Sequence, residues 1–139
     1  MNRRILRTAP AIASTANAAS YTLPKVLSAK VHHALDLAIA GSLAAGGAWY
    51  WNRNRHAAIA SWACGGAMLG LTLLTSYPGK GRRYLKFRFH GKVERAMAAL
   101  VAAIPTVLRL QDERQRLHFE VEAGLLTVVS NLTSFDHLS

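Results

Sequence analysis

The chain has one cysteine, four prolines and seven acidic residues among its 139. The lone Cys64 excludes an intramolecular disulfide framework and every multi-cysteine zinc or iron-sulfur site. Charge is sparse as well as lopsided: 17 lysines and arginines against seven acids give +10, yet charged residues make up only 17% of the chain. That is little charge for a chain devoted to nucleic acid, and 51% hydrophobic residues is too many for a disordered basic tail. No nucleophile triad, phosphate-binding glycine loop or metal signature of known spacing occurs, so the chain is not expected to be an enzyme. The length fits one domain, and a composition both basic and apolar favours the membrane class, although the mean hydropathy of +0.13 is modest.

The N-terminal segment, residues 1–25, holds Arg3, Arg4, Arg7 and Lys25, no acid, and many Ala, Ser and Thr, which reads as an uncleaved basic arm or a transit-like presequence. Beyond it, residues 26–139 are expected to form one membrane domain. Sliding the chain by 58 positions lays residues 26–77 over 84–135 without a gap, with ten identities. They include Leu27/Leu85, His32/His90, Gly66/Gly124 and Leu74-Thr75-Ser76 over Leu132-Thr133-Ser134, and Asp36 falls on Glu94, Thr72 on Ser130 and Tyr77 on Phe135. The pattern points to a duplicated unit.

Each unit has two apolar segments, about 31–51 and 56–77, then about 91–110 and 113–135, with lengths suited to a hydrocarbon core of roughly 30 Å. The expected fold is all-α: a four-helix transmembrane bundle built from two repeated hairpins, with the basic arm in front. Eleven basic residues fall on the side holding the N-terminus and central loop and five on the other, which predicts N-in and C-in. Trp49, Tyr50 and Trp51 at one face, and Tyr77 and Tyr84 at the other, are placed as interfacial aromatics. The fourth segment is the weakest span, because Glu120 and Glu122 sit in it. Pointing about 200° apart, these two cannot form one dyad; with Arg114, Arg116 and His118 close by, an Arg/Glu network capping the outer end is expected, and a partner-subunit contact is the alternative.

His-x-x-x-acid opens the odd-numbered helices, His32 with Asp36 and His90 with Glu94. Spacing of four puts each pair on one helical face, and parallel repeats bring both pairs to one depth. The first reading is a structural polar clamp in which each imidazole bonds the other repeat's acid or a helix-end hydroxyl of Thr75-Ser76 or Thr133-Ser134. A divalent metal or haem held by His32, Asp36, His90 and Glu94 is the alternative; no cofactor is otherwise expected. Gly66 and Gly70 make a GxxxG expected to pack inside the bundle. The central loop interleaves Arg82, Arg83, Lys86 and Arg88 with Tyr84 and Phe87, and beside a span this reads as contact with anionic lipid headgroups in preference to nucleic acid.

The order His32-x-x-x-Asp36, a small-residue helix, Leu74 to Pro78, a basic stretch, His90-x-x-x-Glu94 and Leu100 to Pro105 resembles small bacterial integral membrane proteins of the Ser-Pro-Trp repeat type. The resemblance covers residues 26–136. The Ser-Pro-Trp tripeptide itself is absent, with Pro105 near its place. It implies four membrane helices in two hairpins, and no catalytic residues. Together these readings give a non-catalytic protein of the bacterial inner membrane, or of an organellar inner membrane if the arm is transit-like. It is expected to act as an accessory subunit of a larger membrane complex, in contact with anionic lipids and other subunits. A metal- or haem-binding membrane protein and a peripheral nucleic-acid binder are the alternatives.

Overall fold

A computed structural model describes residues 24–78 and 83–135. The arm up to residue 23, with Arg3, Arg4 and Arg7, and loop residues Lys80 and Arg82 lie outside the described residues, as do the targeting and lipid readings made on them. The described chain is mostly helical, with four helices: α1 (Ala29–Tyr50), α2 (Arg55–Leu74), α3 (Phe87–Val107) and α4 (Glu113–Leu132). Two short strands, β1 (Thr75–Ser76) and β2 (Leu85–Lys86), join the halves.

Local chemistry sets the helix ends. Ser28, Asn54 and Asp112 are N-caps whose side chains accept from the backbone N–H of Val31, Ala57 and Arg114, which satisfies donors that a helix leaves open. Helix α3 has no such cap and begins at Phe87, four residues ahead of the expected Gly91. It ends beyond Pro105 in a Schellman turn, with Arg109 at a φ of 51° and Leu110 N–H donating to the Pro105 carbonyl. Thr75 and Thr133 leave their helices in extended conformation, where the apolar pattern had suggested continued helix.

Helix α1 packs along α2 and α3 along α4, while α1 with α4 and α2 with α3 close the bundle. The contacts obey the 58-residue offset. Thr75 pairs with Leu85 in a parallel bridge, and Leu27 pairs with Thr133, so the end of each half is laced to the start of the other. The core does the same: Ile39 and Met97, Leu43 and Val101, Met68 and Leu126, Leu71 and Val129 are all buried. Ser61, in contrast, is matched by Phe119, and Cys64 by Glu122.

Several expected positions are corrected. Gly66 and Gly70 do not pack inside; the space where a Cβ would sit is open at both, because the buried stripe of α2 runs through Ser61, Gly65, Met68 and Thr72. Tyr50 and Tyr77 are buried and not interfacial, whereas Trp49 and Tyr84 are exposed. Phe87 is also buried, against Ala29, Tyr77 and Phe135, so it makes no lipid contact; Arg83, Tyr84, Lys86 and Arg88 do face outward. Of Glu120 and Glu122 in α4, Glu122 is inside and Glu120 outside, and Glu122 accepts the Ser42 hydroxyl where an arginine was expected. Among the described residues one helix, α2, is long and apolar enough to cross a membrane.

Candidate metal centre

The pseudo-symmetric lacing brings the first turns of α1 and α3 and the last turns of α2 and α4 to one end of the bundle. There His32, Asp36, His90 and Glu94 meet, each with no exposed surface. One ligand atom from each lies within 4.8 Å of all the others. His32 Nε2 stands 3.3 Å from His90 Nε2, 3.2 Å from Asp36 Oδ2 and 3.4 Å from Glu94 Oε2, and His90 Nε2 is 3.0 Å from Asp36 Oδ2. Each imidazole thus reaches the acid of the other repeat, the contact that the clamp reading requires.

The outer nitrogens are equally constrained. His32 Nδ1 is 2.8 Å from Thr133 Oγ1, and His90 Nδ1 is 2.9 Å from Thr75 Oγ1. Both threonines donate their one proton to the carbonyl four residues back, Thr75 to Leu71 at 2.6 Å and Thr133 to Val129 at 2.8 Å. A hydroxyl whose proton is committed can only accept, so each Nδ1 carries a hydrogen and donates it to threonine. With Nδ1 turned to threonine, each ring directs its Nε2 into the cluster.

The centre therefore gathers two ring nitrogens and two carboxyl groups. Tyr77 supplies one proton, donating to Asp36 Oδ2 at 2.9 Å. Its hydroxyl is held well above the ordinary tyrosine range, first by burial and then by the Asp36 charge beside it, so it remains a donor. Asp36 Oδ1 and both Glu94 oxygens have no hydrogen-bond partner. Phe87, Phe135 and Tyr77 pack their rings around His32 and His90 and shut out water.

This buried set could hold a metal ion. Zinc binds imidazole and carboxylate at about 2.0 to 2.2 Å, which puts tetrahedral ligand atoms about 3.3 to 3.6 Å apart. The four short separations here, 3.0 to 3.4 Å, nearly have that spacing already. Haem fits poorly, since the imidazoles touch each other and carboxylates fill their edges, which leaves no slab of space for a porphyrin. The sequence brought His32, Asp36, His90 and Glu94 together but gave Tyr77 to the interface and missed it as their partner. Its position 58 residues before Phe135, in a pair flanking the repeated Thr-Ser, was the available signal.

No family model, curated protein or solved structure matches this chain.

Proposed function

We propose that the protein is a non-catalytic membrane protein whose two halves are clipped together by a divalent metal ion on His32, Asp36, His90 and Glu94. One observation carries the reading: Thr75 and Thr133 hold both imidazoles with Nε2 inward, so that two ring nitrogens and two carboxyl groups meet out of water. Unpaired acceptors so buried are costly, and a cation resolves them. Four protein ligands and no open position describe a structural site in preference to a catalytic one. Threonine hydroxyls orienting the distal nitrogens are the second shell that metal-bound histidines use.

The membrane setting is supported by the resemblance to proteins of the Ser-Pro-Trp repeat type, by α2, and by large apolar side chains facing outward on all four helices, among them Leu37, Ile59, Leu100 and Val128. Asp36, Glu94 and Glu122, which lower the apolarity of the other helices, are turned inward. The loop charge favours both termini inside, and the resemblance favours the bacterial inner membrane. Metal analysis of protein purified in mild detergent tests the site: stoichiometric zinc, iron or manganese, lost in His32→Ala/His90→Ala, is expected. Metal-free protein whose unfolding temperature does not respond to added zinc or manganese would overturn it.

A role as accessory subunit is favoured by a separate observation. Arg95 and Glu120 are exposed on α3 and α4 among outward apolar residues. A charge near the bilayer centre is disfavoured by about 2.5 to 3.5 kcal/mol on insertion scales, so a polar partner over that face would stabilise it. Native purification is the test, and recovery as an isolated monomer under conditions that preserve complexes would count against a partner.

A further inference from the structure

Four basic residues at the laced end recur at the 58-residue offset, Lys25 over Arg83 and Lys30 over Arg88. Each is followed by an exposed apolar side chain: Val26, Tyr84, Val31 and Phe89. Lys25 and Arg83 have a structural task. Lys25 donates to the Asn131 carbonyl and Arg83 to the Leu73 carbonyl, so each caps the closing helix of the other half, where carbonyls are left open and a cation is favoured.

Lys30 and Arg88 are placed differently. Each comes two residues before a cluster histidine, Lys30 before His32 and Arg88 before His90, and so stands about 200° around its helix from the imidazole. The two imidazoles meet inside the bundle at 3.3 Å, which turns Lys30 and Arg88 outward on opposite sides at one depth. Lys92, one turn beyond Arg88 on the same face, adds to the second side, where the first has Ala34. Among the described residues the acids at this end, Asp36 and Glu94, have no exposed surface to offset these charges. The other end differs: Asp112 and Glu113 are exposed among its arginines, and Arg53 and Arg55 lie over the rings of Trp49 and Trp51 at 5.0 and 4.8 Å.

We propose that the laced end carries two sites for anionic phospholipid headgroups, one on each side of the bundle: Lys30 with Val31, and Arg88 and Lys92 with Phe89. The second is the stronger, having two cations on one face. The proposal rests on the membrane setting argued above and is independent of the metal clip. A cation beside an outward apolar side chain suits a phosphate at the surface and an acyl chain below it. Charges divided between opposite sides of a bundle do not form the continuous groove that tracks a polynucleotide, and Val31 offers no ring for a nucleobase to stack on.

Native mass spectrometry of full-length protein in detergent, titrated with phosphatidylglycerol or phosphatidylcholine, is the test. Wild type should bind phosphatidylglycerol more tightly by about fivefold or more, the equivalent of about 1 kcal/mol for a basic residue near an anionic surface. Arg88→Gln/Lys92→Gln should remove most of that preference and Lys30→Gln less of it. Arg53→Gln/Arg55→Gln, which removes as much charge from the other end, should leave it unchanged. Equal affinity for the two lipids in wild type, or equal weakening by Arg53→Gln/Arg55→Gln, overturns the proposal. So does binding of a DNA oligonucleotide that the Arg88→Gln/Lys92→Gln change abolishes, if no lipid preference accompanies it. Carbonate washing of phosphatidylcholine vesicles carrying the wild type separates the two ways to fail. Release by carbonate overturns the membrane setting and these sites with it, whereas carbonate-resistant protein without lipid preference overturns the sites alone.

Discussion

The two halves of the bundle are nearly superimposable in where they bury residues and quite different in what they place halfway along. At the laced end the halves match in kind: imidazole, carboxylate and threonine from each, with a tyrosine against a phenylalanine as the main difference. Further along, the first half has Cys64, Trp62 and Leu37 where the second has Glu122, Glu120 and Arg95. The first half's outer surface is a shallow groove of Leu37, Gly41, Ala44, Trp62, Gly66 and Leu69. The second half's corresponding surface is charged. A shared end and divergent middles are what a duplicated hairpin would keep and change: the end joins the halves, while the middles are free to acquire separate roles.

The sharpest test of the matched end compares its carboxylates. Asp36 Oδ2 accepts from Tyr77 and lies against both imidazoles, whereas Glu94 lies 3.4 Å from one imidazole, that of His32, and beside Ser130. In metal-free protein Asp36→Ala should destabilise by about 3 to 5 kcal/mol, since it strands several buried partners. Glu94→Ala should lose about 1 to 3 kcal/mol. Thermal unfolding followed by circular dichroism reads the difference. Equal losses would mean that the two halves are functionally equivalent at this end despite Tyr77.

Next in size is the core pair Leu43 and Val101, both with no exposed surface. Leu43→Ala should destabilise by about 2 to 5 kcal/mol through lost burial and the cavity left behind. Val101→Ala removes less volume and should destabilise less. A reversed order in chemical denaturation would show that the first half relaxes around cavities and the second does not.

Tyr77→Phe makes the first half resemble the second at the laced end. Loss of the bond to Asp36 should destabilise by about 1.5 to 3 kcal/mol at neutral pH, because the acceptor is a carboxylate. Burial and the Asp36 charge raise the folded-state pKa above the ordinary value of 10.0. The folded protein keeps this proton where the unfolded chain loses it, so the stability tied to Tyr77 is complete below about pH 10 and declines as pH rises above that. The substitution should remove that decline, read as thermal unfolding across that pH range.

Legibility in the sequence follows the same division. The four helices, the hairpin pairing and the His32, Asp36, His90 and Glu94 set were readable, because helix-period apolar runs and repeated rare polar residues are direct records of burial. The extended ends at Thr75 and Thr133 were not, since Leu-Thr-Ser carries no breaker and the strands exist only through pairing between halves. Glu122 was weighed with Glu120, and His118 was noted only as their neighbour, because their helix looked like a poor span. Its acids were weighed as a liability, although His118 and Glu122 have the four-residue spacing of the other two pairs. Tyr77 and Phe87 were misplaced because aromatics beside basic residues fit an interface and a buried cluster equally well. Only the meeting of Ala29, Tyr77, Phe87 and Phe135 decides between them.

The smallest expected effect separates neighbouring glycines of α2 that sequence treats alike. A Cβ on Gly65 would come within 3.1 Å of both the Ala40 carbonyl oxygen and Leu43 Cβ. The carbonyl belongs to a helix backbone and cannot yield without moving α1. Gly65→Ala should therefore destabilise by about 1 to 3 kcal/mol through overpacking, offset in part by the better helix propensity of alanine. At Gly66 the same methyl meets nothing within 4 Å, so the propensity gain stands alone and Gly66→Ala should stabilise by up to about 1 kcal/mol. Gly124, its partner 58 residues on, is equally open and should respond in the same direction. The test is more than a check of packing. If Gly66→Ala destabilises while Gly124→Ala stabilises, then the first half's outward groove is filled by something in the assembled protein that the second half lacks. The divergence of the two middles would then extend to what each face binds.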